Sequence, residues 1–144
     1  MKQNKFFSVA IIALCAVVFF TFTGFKKHTA PIGKSTPVTI TAVYDFSTFP
    51  DVFGTFTTTG ALDISGRSEM VIGPNANGKR AHCVVTLVTD DGTITIHQEC
   101  QFGSPTPRGS WQIVSGTGAY TDLRGNGSLT MPPNTEAMEG VIYE

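Results

Sequence analysis

The chain has 144 residues with a formal net charge of −1, and after the first 30 residues it holds all eleven acidic residues but only six of the ten basic ones, a balance of −5. That length suits one small domain with a single core. A nucleic-acid backbone asks for the opposite sign gathered on one face, and the few basic residues here are scattered, so nucleic acid is excluded as a partner.

In chain order, Lys2 and Lys5 precede an uncharged apolar run, FFSVAIIALCAVVFFTFTGF, from Phe6 to Phe25. The run matches the roughly 20 residues that cross a bilayer as a helix. Residues 1–30 are therefore predicted to be a signal peptide or an amino-terminal membrane anchor. The protein is expected to be exported, to the periplasm or the cell exterior, or held through residues 6–25, with no other membrane contact. Both alternatives stand, because the HTA before Pro31 contains the bulky His28 and Lys26 and Lys27 follow the apolar run. Residues 31–37, small and turn-prone, read as a linker.

Residues 38–144 form one domain, rich in Thr, Val, Ile, Phe and Gly, whose apolar positions alternate rather than recur at helical spacing. An all-β domain follows. Val38 to Phe46 puts Val38, Ile40, Ala42, Tyr44 and Phe46 on one face and Thr39, Thr41, Val43 and Asp45 on the other. Phe53 to Asp63 is a Thr-heavy second strand, with Gly54 and Gly60 as points of bulging or close approach. Met70 to Ile72 reads as a short edge strand, and GPNANGK from Gly73 as a loop.

Ala81 to Asp90 and Thr93 to Phe102 then make a hairpin turned at Asp91-Gly92. This register places Cys83, Val85, Leu87, Ile94, Ile96 and Cys100 on one face. It also sets Cys83 directly opposite Cys100, where a cross-strand disulfide in an oxidising compartment competes with two packed thiols. His82 and His97 share the other face, but four pairs and roughly 13 Å apart they cannot hold one zinc ion, so no metal site is predicted. No cofactor motif occurs either. Gly109 to Ser115, Asn126 to Met131 and Ala137 to Tyr143 complete about eight strands, a spacing that suits a barrel or a sandwich.

Between the last strands lies WQIVSGTGAYTDLRGNGSLT, from Trp111. Gly116-x-Gly118 follows a strand as a dinucleotide fingerprint would, but position 121 is Thr, no Lys-Ser or Lys-Thr follows, and Ala119 to Arg124 has room for little more than one helical turn. The glycines instead let the backbone reverse while Tyr120 and Leu123 dip into the end of the fold as a plug.

The same block, a tryptophan, a strand, Gly-Thr-Gly, an aromatic residue, a short turn and Arg-Gly, resembles the signature of allene oxide cyclase-like and dirigent-like β-barrels, as do FGTFTTTGALDISG from Phe53 and DDGTITI from Asp90. The resemblance implies an eight-stranded antiparallel closed barrel, in some members assembled as trimers, with a carboxylate among few polar groups in an apolar cavity. It sets Asp45 near the strand-one glutamate of the cyclases, with Ser47 departing from an asparagine that helps hold water there. Three functions follow as alternatives. The barrel binds or shields a small apolar molecule without turnover, with Tyr44, Tyr120 and Arg124 as candidate ligand contacts. It is an isomerase or cyclase acting through Asp45. Or it is an envelope protein whose barrel is filled by its own side chains.

Overall fold

The computed structural model describes residues 34–74 and 78–143. The expected signal or anchor, residues 1–30, lies outside them. Eight strands close into one antiparallel barrel in sequence order. They are β1 (Ser35–Asp45), β2 (Asp51–Gly60), β3 (Ser65–Pro74), β4 (Arg80–Thr89), β5 (Gly92–Gln101), β6 (Arg108–Gly116), β7 (Arg124–Thr130) and β8 (Thr135–Tyr143), with one 3-10 turn, Gly118–Tyr120, between β6 and β7.

Alternation sets the inside. Val38, Ile40, Ala42 and Tyr44 of β1 are buried while Val43 and Asp45 are exposed, and β4 and β5 turn Ala81, Cys83, Val85, Leu87, Ile94, Ile96, Gln98 and Cys100 inward. These residues join Phe56, Met70, Trp111, Ile113, Leu129, Met138 and Ile142 in one continuous cluster. Each fully buried Leu or Ile there contributes about 1.5–3 kcal/mol relative to exposure. Trp111 settles its polar edge by donating its indole N–H to the Ser128 and Glu139 carbonyls at 3.1 and 3.3 Å.

Three expectations need correction. Residues 35–37 are not linker, since Ser35, Thr36 and Pro37 pair with Tyr143, Ile142 and Val141 of β8. Met70 to Ile72 is the middle of a ten-residue strand hydrogen-bonded on both sides, because a closed barrel has no edges. The β4–β5 hairpin turns at Asp90-Asp91, with Thr89 opposite Gly92, two residues out of the expected register. The Thr89 hydroxyl holds that turn, accepting the Asp91 N–H at 3.2 Å and donating to the Gly92 carbonyl at 3.1 Å.

Gly92 is used for something other than the reversal. With φ +143°, it lets the hairpin backbone meet the segment before the 3-10 turn: a Cβ there would run into the Thr117 carbonyl, and one on Gly118 (φ +58°) into that of Asp91. Thr117 N–H donates to Thr93 O at 2.9 Å and Ala119 N–H to Asp91 O at 3.0 Å. Behind this strap Tyr120 is buried, its hydroxyl 3.2 Å from Thr89 Oγ1, and Leu123 packs against the core. One end of the barrel is thereby plugged, as the Gly-rich block led us to expect.

A register offset of two residues leaves every side chain on its expected face but changes who sits opposite whom. Cys83 now faces Gln98, and Cys100 faces Ala81. The two sulfurs are diagonal neighbours 3.8 Å apart and both cysteines are free, so the expected disulfide is not formed. His82 likewise faces Glu99, with Nδ1 2.9 Å from Oε1 in a well-exposed pair, and His97 faces Val84.

Candidate functional site

The other end of the barrel, where β1, β3, β5 and β7 finish and β2, β4, β6 and β8 begin, is built differently. The strand TEAMEGVIY of β8 buries Met138 and Ile142 on its inner face, and the same period carries Glu136 inside. Glu136 lies opposite Ala42, whose small side chain leaves room for a carboxylate. Two residues further along β1, Tyr44 points back over it and donates its hydroxyl to Glu136 Oε2 at 3.1 Å. The Tyr44 ring has space because position 54 is glycine: a Cβ there would come within 2.9 Å of ring carbon Cδ1 and 3.0 Å of Ser68 Oγ.

Only 1% of Glu136 is exposed, and its second oxygen, Oε1, has no hydrogen-bond partner. The neighbouring Gln98 amide donates to Met138 Sδ at 3.4 Å and lies close enough to Glu136 to favour its charged form. Burial raises the Glu136 carboxyl to about 7, against the opposing pull of the Tyr44 hydroxyl and the Gln98 side chain. Tyr44 is held well above the ordinary phenol range, by burial first and by the Glu136 charge second. Hydrogen bonding to Cys83, followed by burial, pushes the Cys100 thiol up in the same way.

Beside this group a cavity of about 180 Å³ opens at the barrel end, lined by Tyr44, Phe46, Met70, Phe102, Met131 and Glu136, among others. Among the described residues Glu136 is its one charged lining residue. A larger groove of about 780 Å³ crosses the outer surface past His82, His97, Gln112 and Asn126. It is broad, lies on the outside of the sheet and mixes polar with apolar lining such as Val84 and Val114; no three His, Cys, Asp or Glu among the described residues are grouped to hold a metal ion.

The residues singled out from sequence do not meet in one place. Tyr44 lines the open-end cavity. Tyr120 belongs to the plug at the opposite end, and Arg124, exposed at the start of β7, donates to the Leu123 carbonyl at 2.8 Å. Asp45 is on the outer face of β1 opposite Phe53, its Oδ1 accepting the Ser47 N–H at 2.9 Å, a bond that keeps its carboxyl below the usual range. Sequence reasoning missed Glu136 by starting the last strand at Ala137. The signal was present in the phase of Glu136 with Met138 and Ile142, an acid in step with two core residues.

No protein-family model matches this chain, and neither the curated proteins nor the solved structures give a match.

Proposed function

We propose that this barrel binds a small, mainly apolar molecule in the open-end cavity, without turning it over, and holds it against Glu136 and Tyr44. The observation that carries the reading is a buried carboxylate with a free oxygen beside an apolar cavity that opens to solvent. A group of this kind costs stability in a pure scaffold, since a buried acceptor without a partner is worth about 1–3 kcal/mol against folding. Size narrows the ligand, because an apolar cavity near 150 Å³ takes a benzene-sized molecule and one of about 180 Å³ takes little more. A long-chain epoxide of the cyclase type exceeds that space. Membership of the allene oxide cyclase-like group, export and trimer formation stay part of this proposal, resting on the Gly-rich block and the apolar start of the chain.

Isomerisation is the second reading, favoured by the raised pKa of Glu136, which suits a general base near neutral pH. On this reading the base is Glu136 rather than the solvated Asp45.

Titration with toluene, followed by amide and methyl NMR shifts, tests the binding. Saturable shifts confined to the cavity lining, and their loss in Met131→Trp, are expected. Shifts that never saturate, or that survive Met131→Trp, would refute it.

A further inference from the structure

The chemistry of the cavity wall also selects among small apolar molecules. We infer that the ligand is a small organic cation, an ammonium group on a benzene-sized apolar body, whose N–H donates to Glu136. The inference rests on the binding reading above.

Among the described residues Glu136 is the one charged residue lining the cavity, and its Oε1 lacks a hydrogen-bond partner. The titratable groups that face it are Tyr44 from β1, Cys83 from β4 and Cys100 from β5. None of these is a cation. An ionised carboxylate in such surroundings is costly until an opposite charge reaches it, and no protein side chain in the lining supplies one. A ligand ammonium that enters far enough to meet this enclosed carboxylate, only 1% exposed, does so in a charge-assisted bond stronger than a neutral one.

The rest of the wall is compatible with a cation. Tyr44, Phe46 and Phe102 line the cavity, and aromatic faces attract cations. An anionic ligand is disfavoured twice, by repulsion from Glu136 and by the absence of any lysine, arginine or histidine in the lining among the described residues. A neutral alcohol fills the hydrogen bond but leaves the charge uncompensated.

Benzylamine and benzyl alcohol, near-isosteres that differ in charge, provide the test by calorimetric or NMR titration of the protein. At pH 8, where Glu136 is mostly ionised, benzylamine is expected to bind about tenfold more tightly than benzyl alcohol. At pH 5.5 the amine is still charged but Glu136 is mostly protonated, so the preference should shrink towards unity while benzyl alcohol holds its affinity. Glu136→Gln, which keeps an acceptor for Tyr44, should erase the preference at both pH values. Equal affinities at pH 8, or a preference that persists at pH 5.5 in the wild type or in Glu136→Gln, would overturn the cation while leaving the cavity reading intact. Failure of both probes to bind would overturn the two together. The pH arm uses the wild-type protein and does not depend on the variant folding.

Discussion

The two ends of this barrel solve the same problem in opposite ways. At the plugged end the loops are tied down by backbone hydrogen bonds, from Thr117 to Thr93 and from Ala119 to Asp91, and the buried hydroxyls have partners, that of Tyr120 in Thr89 and that of Thr58 in the Leu62 carbonyl. In the half that holds the cavity, two buried side-chain atoms lack partners, Ser68 Oγ and Glu136 Oε1, and large apolar side chains such as Phe46 and Phe102 are left partly exposed at the rim. Native folds satisfy nearly all their buried polar atoms, so a cluster of exceptions marks where something other than stability set the residues.

The strongest way to break this contrast is to remove the plug. Tyr120→Ala deletes a buried aromatic ring and should cost about 3–5 kcal/mol, read as a fall in the urea unfolding midpoint. It should leave small-molecule affinity at the far end unchanged wherever the protein is still folded. A small stability loss, or a loss of binding in the folded variant, would mean that the two ends are not independent.

Next in size is the pH dependence that Glu136 imposes. Its carboxyl titrates near 7 when folded and near 4.5 when unfolded, so between those values the folded chain holds a proton that the unfolded chain has released. Stability from this group is therefore full below about pH 4.5, falls as pH rises to 7 and is flat above, a total of about 3 kcal/mol. Unfolding midpoints measured from pH 4.5 to 8 should show that decline in the wild type and lose most of it in Glu136→Gln. A wild type whose stability rises over the same window would show that Glu136 is ionised and paired in the folded protein.

The plugged end was far more legible in the sequence than the cavity, for physical reasons. Gly116, Gly118 and Tyr120 are local signals: a backbone that must reverse and a ring three residues from Leu123 can be read within one short segment. Inside and outside were legible too, because Val38, Ile40, Ala42 and Tyr44 announce their face by period alone. Opposition was not. Whether Cys83 meets Cys100 or Gln98 depends on which two residues make the turn, and Gly92, which looks like a turn residue, is reserved for close approach to Thr117. The length of β3 was hidden because Gly66 and Ser68 occupy inward positions without being hydrophobic, where Phe56 and Tyr44 fill the space. The Tyr44–Glu136 contact spans 92 residues and exists only because β1 and β8 close the barrel.

A finer test addresses the space that lets Tyr44 lie over Glu136. Gly54→Ala would drive a methyl carbon into the Val43 carbonyl of β1 and place it 2.9 Å from the Tyr44 ring, forcing both the paired backbone and the ring to move. Overpacking of this kind costs about 1–3 kcal/mol. Because the displaced ring carries the hydroxyl that holds Glu136, affinity for a small ligand should fall as well. Stability lost without any change in affinity would separate Tyr44 from the binding site.

The smallest expected effects discriminate the two carboxylates. Asp45 and Glu136 sit near the same end of the barrel, so proximity to the opening cannot decide between them; solvation can. Asp45 is fully exposed and its ordering partner is the Ser47 N–H, whereas Glu136 is enclosed and one of its oxygens is unmatched. Asp45→Asn should therefore leave the unfolding midpoint and the affinity for benzylamine where they are, and Arg124→Ala, at the opposite end, should do the same. If Asp45→Asn alone abolished ligand binding, a strand-one carboxylate would have to act from outside the wall. The ligand would then lie against the outer face of β1 near Phe53, and the cavity beside Glu136 would be a packing defect rather than a site.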